Sequence, residues 1–106
     1  MQNYFIIEEK DDRYYPVVLF KSISYRNVSI RAKFLYGILY EKMAKSMENN
    51  WVDADGILYV LFADDELCQA MHTSSSEVEK FLQALEDEKL VKREDERIYL
   101  RKVLAL

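Results

Sequence analysis

The sequence predicts an α+β fold, a winged helix-turn-helix preceded by an N-terminal strand and an additional β-hairpin. Three observations carry this. Asp64-Asp65-Glu66 opens a short helix with Leu67 and Met71 at i and i+4, acids at a helix start being favoured by its positive end. Ser74 precedes Glu77 by three residues, the spacing of a capping box, and heads a helix whose Val78, Phe81, Leu82 and Leu85 form one apolar stripe. Leu90-Val91-Lys92-Arg93 and Arg97-Ile98-Tyr99-Leu100 then alternate as strands around the tip Glu94-Asp95-Glu96. Together they make a helix-turn-helix at about 64–88 and a wing at about 90–103.

The earlier elements follow in chain order. Tyr4-Phe5-Ile6-Ile7 is a short strand, and residues 8–13 are a charged connector. Pro16 gives residues 14–20 an extended or edge-strand character. Residues 22–28 read as turn and loop. Ser29 is an N-cap for a long helix at about 30–48. Ile30, Phe34, Leu35, Ile38 and Leu39 are its expected core face, and Tyr36, Tyr40, Met43 and Met47 a second apolar stripe. A helix apolar on two sides either sits deep in a core or lends one side to a partner. Trp51-Val52 and Ile57 to Leu61 flank Asp53-Ala54-Asp55-Gly56, whose Asp-Gly step marks a hairpin at about 51–61.

A chain of 106 residues without repeats or flexible tracts forms one domain over 1–106. Half the residues are hydrophobic, with two Gly and one Pro, which excludes a disordered polymer. The single Cys68 forms no internal disulfide, the N-terminus has no secretion-signal pattern, and no apolar run reaches a bilayer-spanning length. A reducing cytoplasm is the expected location. The net charge of −4 argues against indiscriminate nucleic-acid binding. Its distribution is uneven, however. Residues 21–47 carry Lys21, Arg26, Arg31, Lys33, Lys42 and Lys45 against Glu41 alone, while residues 48–72 hold acids and no Lys or Arg. Lys92, Arg93, Arg97, Arg101 and Lys102 form a second basic cluster at the wing.

No enzyme emerges. Asp53-Ala54-Asp55-Gly56 echoes a calcium loop but lacks its remaining ligands, Phe62 standing in the place of the closing glutamate. Asp64, Asp65 and Glu66 are accounted for by the helix start, His72 by a helix end, and Cys68 by apolar packing. No catalytic residue, metal ligand set, cofactor or small-molecule substrate is expected.

Residues 14–20 (Tyr-Tyr-Pro-Val-Val-Leu-Phe) and 27–36 (Asn-Val-Ser-Ile-Arg-Ala-Lys-Phe-Leu-Tyr) resemble the N-terminal domain of RepA-type replication initiators of Gram-positive plasmids and related mobile elements. That family shows an aromatic-Pro segment and then leucine-serine-x-x-alanine-lysine-leucine-leucine-tyrosine. Val28 and Phe34 replace two of those leucines here. Asn50-Trp51-Val52-Asp53 with Gly56 and Tyr59 is similar to a second family hairpin, Asn50 replacing a glycine. The resemblance covers roughly residues 14–93. It implies a winged helix that binds repeated duplex sites in an origin, commonly as a dimer. Whole initiators usually carry a further C-terminal domain, so the chain would be a truncated form or a stand-alone relative. Family recognition helices normally open with basic residues, whereas Ser75-Ser76-Glu77-Val78-Glu79-Lys80 stands here.

If the second helix enters a major groove, Ser75, Ser76, Glu79 and Gln83 face base edges, and Lys80 takes a phosphate or a guanine edge. Lys92, Arg93 and Arg97 of the wing would reach phosphate. Ser29, Arg31 and Lys33 begin the long helix, where free N–H groups favour an anion or simple capping suffices. A homodimer would use Tyr4, Phe5, Ile6 and Ile7 as an edge strand, and Tyr36, Tyr40, Met43 and Met47 as an apolar stripe, unless these pack in the core. A second reading of the fold stays open: a protein-interaction module with an acidic recognition face, or a transcriptional regulator.

Overall fold

The computed structural model describes residues 4–5, 25–43, 45, 48–62 and 64–102. Expectations for Ile6, Ile7, Met47 and the Pro16 segment lie outside the described residues. Helix α1 spans Ile30–Met43. Ser29 caps it, its Oγ accepting the Ala32 N–H at 3.1 Å. The helix is shorter than the sequence suggests. Past Met43 a turn follows, with Lys45 N–H on the Lys42 carbonyl at 3.0 Å and Asn50 in the left-handed region at φ 59°.

The inward face of α1 also differs from expectation. Ala32, Leu35, Tyr36, Leu39 and Met43 are buried, whereas Ile30 and Phe34 are 71% and 57% exposed. The cause is that α1 is apolar nearly all round, so its own periodicity does not select a face. Tyr36 can go inside because its hydroxyl donates to the Arg101 carbonyl at 2.6 Å.

The hairpin at 51–59 forms as the Asp-Gly step dictates. Asp53 Oδ1 accepts the N–H groups of Asp55 at 2.9 Å and Ile57 at 3.0 Å, and Gly56 takes φ 80°. Val52 and Leu58 bridge across it. Strand β1, Val60–Leu61, continues from this hairpin and leads to helix α2, Asp64–Met71.

His72 ends α2 in the left-handed region at φ 54°, with Thr73 N–H on the Cys68 carbonyl at 3.0 Å and His72 N–H on that of Gln69 at 3.3 Å. This Schellman pattern stops one helix and aims the next. Helix α3, Ser75–Asp87, starts at Ser74, whose Oγ accepts the Glu77 N–H at 3.3 Å. It ends the same way at Lys89, φ 60°, with Leu90 N–H on the Leu85 carbonyl at 2.8 Å. Leu90 is thereby driven into the core.

Strands β2, Val91–Glu94, and β3, Arg97–Leu100, form the wing, with Glu94 opposite Arg97 and a tip of two residues. Asp95 turns it at φ 55°. The antiparallel sheet has the order β1-β3-β2. Period-two alternation splits its side chains between two faces. Val91, Ile98 and Leu100 pack with Leu67, Val78, Leu82 and Leu85 of the helices into the main core. On the other face Tyr4, Tyr59 and Tyr99 form a small second cluster beneath the 51–59 hairpin.

Candidate nucleic-acid interface

Burial of Val78, Leu82 and Leu85 orients α3 and leaves Ser75, Ser76, Glu79, Lys80 and Gln83 exposed, the outward set that its apolar stripe predicts. Ser75 and Ser76 stand in the first turn, beside the cap, with Ser76 Oγ 3.1 Å from Ser74 Oγ. Lys80 makes only a loose pair with Glu77 at 3.8 Å, both side chains well exposed.

Arg93 is the wing residue that reaches α3. It lies on the core-facing side of β2, opposite Ile98. Its Nη1 donates to Glu79 at 2.5 Å, its Nε to Glu86, and its Nη2 to Gln83 Oε1 at 3.5 Å. Gln83 in turn donates to Asp87 at 3.0 Å. Burial alone would lower the Arg93 pKa, but hydrogen bonds from Glu79 and Glu86 outweigh it and hold the pKa above the usual arginine range. Two of the α3 acids that look repulsive to phosphate, Glu79 and Glu86, thus share one cation within the protein. Sequence reasoning found Glu79, Gln83 and Arg93 but not their convergence. The i, i+4, i+7 spacing of Glu79, Gln83 and Glu86 was the available signal.

Lys92 and Arg97 lie on the opposite face of the sheet. Lys92 pairs loosely with Glu94 at 3.4 Å. The Arg97 guanidinium lies 4.5 Å from the Tyr59 ring centre and donates to the Tyr99 hydroxyl at 3.3 Å. That hydrogen bond leads the causes that raise the Arg97 pKa. Tyr99 passes the connection on, donating to Asp53 Oδ2 at 3.1 Å. Burial leads in raising the Tyr99 pKa, and in Asp53 it also pulls upward. There the amides of Ile57 and Asp55, the Tyr99 hydroxyl and Arg97 prevail, so the Asp53 carboxyl sits below the usual aspartate range. This Arg97–Tyr99–Asp53 chain, which ties the wing to the 51–59 hairpin, was not foreseen.

The residues at the start of α1 do not join this surface as a phosphate cradle. Ser29 is occupied with capping, and Lys33 is buried at 7% exposure. Arg31 donates from Nη2 to the Met71 carbonyl at 3.0 Å and lies over the Phe81 ring at 5.4 Å. It thus caps the C-terminus of α2 and braces α3. Burial of Lys33 follows from the rotation of α1 that exposes Ile30 and Phe34.

For the stripe read as either core or self-association surface, the described members lie on the core side. Tyr36 and Met43 lie in the protomer's own core, and Tyr40 packs against that core with its ring 5.6 Å from Phe5. Tyr4 is buried, bridges Arg101, and receives hydrogen bonds at 3.3 Å from that guanidinium. Phe5 accepts the Leu58 N–H at 2.9 Å. Their strand partners therefore lie within the same chain.

A helix-turn-helix whose second helix presents a polar stripe beside a β-hairpin defines a winged-helix domain. Residues 13–104 match the family model for the replication initiator protein A (RepA) N-terminus, and the chain belongs to that family. Solved structures agree. A chain from a Rep–DNA complex is 27% identical with TM-score 0.72, covering 90% of this chain and 78% of that one. The structure of an MDR initiator is 26% identical with TM-score 0.74, covering 90% and 80%. The N-terminal domain of a DNA binding protein is 26% identical with TM-score 0.67, covering 100% and 86%. No curated protein matches this chain. Among the described residues no helix is long and apolar enough to cross a membrane.

Proposed function

We propose that this chain binds duplex DNA sequence-specifically in replication initiation of a plasmid or mobile element. The observation that carries the reading is the exposed stripe Ser75, Ser76, Glu79, Lys80 and Gln83 on α3, beside the wing, in a RepA-family chain. The similar chain seen in a Rep–DNA complex supports it. The chemistry is recognition, without catalysis, cofactor or small-molecule substrate. Lys80 and Lys92 dock phosphate, because their exposed ion pairs are weak enough to exchange for DNA. The first turns of α3 read base edges. The protein acts in the cytoplasm as a homodimer on iterated origin repeats, whose spacing two symmetry-related helices would match. On α1 the apolar surface available for self-association is Ile30 and Phe34. Anisotropy titration with labelled origin-repeat duplex at low salt tests this reading, and binding that weakens steeply with salt is expected.

The acidity of α3 favours a second reading, a protein-interaction module for a basic partner. Glu77, Glu79, Glu86 and Asp87 outnumber Lys80 on that helix. In that case Glu79→Lys abolishes partner capture, whereas for a DNA binder it raises nonspecific duplex affinity.

A further inference from the structure

The contacts of Arg93 divide the wing's labour. All three guanidinium nitrogens face α3, toward Glu79, Gln83 and Glu86, and the side chain is 27% exposed. Two carboxylates surround one cation, so the local charge gives phosphate no net attraction. Among the acids, Glu86 is 28% exposed and Glu79 61% exposed. Of the two carboxylates on Arg93, Glu79 is therefore the one open to a ligand lying on α3. One of its oxygens is held by Arg93, and among the described residues no hydrogen bond occupies the other. Gln83, by contrast, is engaged at both ends of its amide.

Resting on the DNA-binding reading, we propose that Arg93 is a positioning residue and not a phosphate contact. It holds Glu79 so that the remaining carboxylate oxygen accepts a hydrogen bond from an exocyclic amino group in the major groove, foremost cytosine N4. Glu86 is the anchor on the helix side of this brace. An orientation fixed by a bifurcated guanidinium loses less side-chain freedom on binding than a mobile glutamate would. The wing thus contributes to sequence choice through the helix, while phosphate attraction comes from cations outside the cluster.

The test uses the whole chain and a random-sequence duplex pool. Selection on the wild type defines the preferred duplex. The double variant Arg93→Met with Glu86→Gln removes the brace and leaves the cluster's net charge unchanged. It should bind the selected duplex with the wild-type salt slope but lose about tenfold in discrimination at one amino-bearing position. Glu79→Ala, an exposed helix substitution, should lose discrimination at that same position. A salt slope lower by about one in the double variant, with base preference intact, marks Arg93 as a phosphate contact and overturns the proposal. Should the double variant fail to fold, Glu79→Ala decides: loss at an amino-bearing position supports the proposal, and retained discrimination overturns it. A wild type that binds no duplex at low salt removes the DNA-binding reading itself. Binding with preference retained in both variants removes only the role of Arg93 and Glu79.

Discussion

The Arg31 guanidinium donates to the Met71 carbonyl at 3.0 Å, joining the start of α1 to the last residue of α2. The same group lies over Phe81 of α3, so one side chain sets the relation of three helices. Arg31→Met keeps the apolar stem and removes the charged donor. It should lower unfolding stability by about 1 kcal/mol in urea titration. Weaker duplex binding should follow with an unchanged salt slope, because the loss is geometric. A slope reduced by one would assign Arg31 to phosphate instead.

Tyr36 is buried, and its hydroxyl satisfies the Arg101 carbonyl at 2.6 Å. Tyr36→Phe keeps the ring and leaves that carbonyl without this partner. A loss of about 1–2 kcal/mol is expected by thermal or urea unfolding. Tyr36→Ala adds a cavity and should cost about 3–5 kcal/mol.

These two residues show what the sequence discloses and what it withholds. The α3 cap is legible because Ser74 and Glu77 are local signals whose spacing is set by helix geometry. The 51–59 hairpin is legible for the same reason, since Asp53 bonds the amides of its own turn. The inward face of α1 is not. Its apolar residues surround the helix, and only the position of Arg101 makes Tyr36 the better core residue. The exposed stripe of α3 follows from its periodicity, but the partners of Arg31 and Arg93 depend on contacts between elements that no local pattern encodes. A run of basic residues reads as phosphate affinity until the fold gives Arg31 a carbonyl, Arg97 a ring and Arg93 its carboxylates.

Asp53 couples the 51–59 hairpin to the wing through Tyr99. Its carboxyl titrates below the usual aspartate value in the folded protein. A lowered folded pKa contributes stability that is fully present above the unfolded pKa, about 4, and is lost as pH falls through the folded value. The wild type should therefore melt higher than Asp53→Asn near neutrality, with the difference shrinking in melts run below about pH 4. A constant difference down to pH 2 would assign the effect to packing.

Ile30 and Phe34 are the large apolar side chains that α1 leaves in water. In sedimentation experiments the wild type should self-associate, and Phe34→Lys should shift it toward monomer without lowering its melting temperature. Equal sedimentation of the two as dimers would place the contact elsewhere, and a monomeric wild type would contradict self-association.

Duplex binding as a function of salt reports whether α3 and the wing dock on DNA. With labelled origin-repeat DNA, log affinity should fall linearly with log salt concentration. Lys80→Gln and Lys92→Gln should each reduce the slope by about one. No measurable duplex binding at low salt, or a slope that neither substitution changes, would contradict the account.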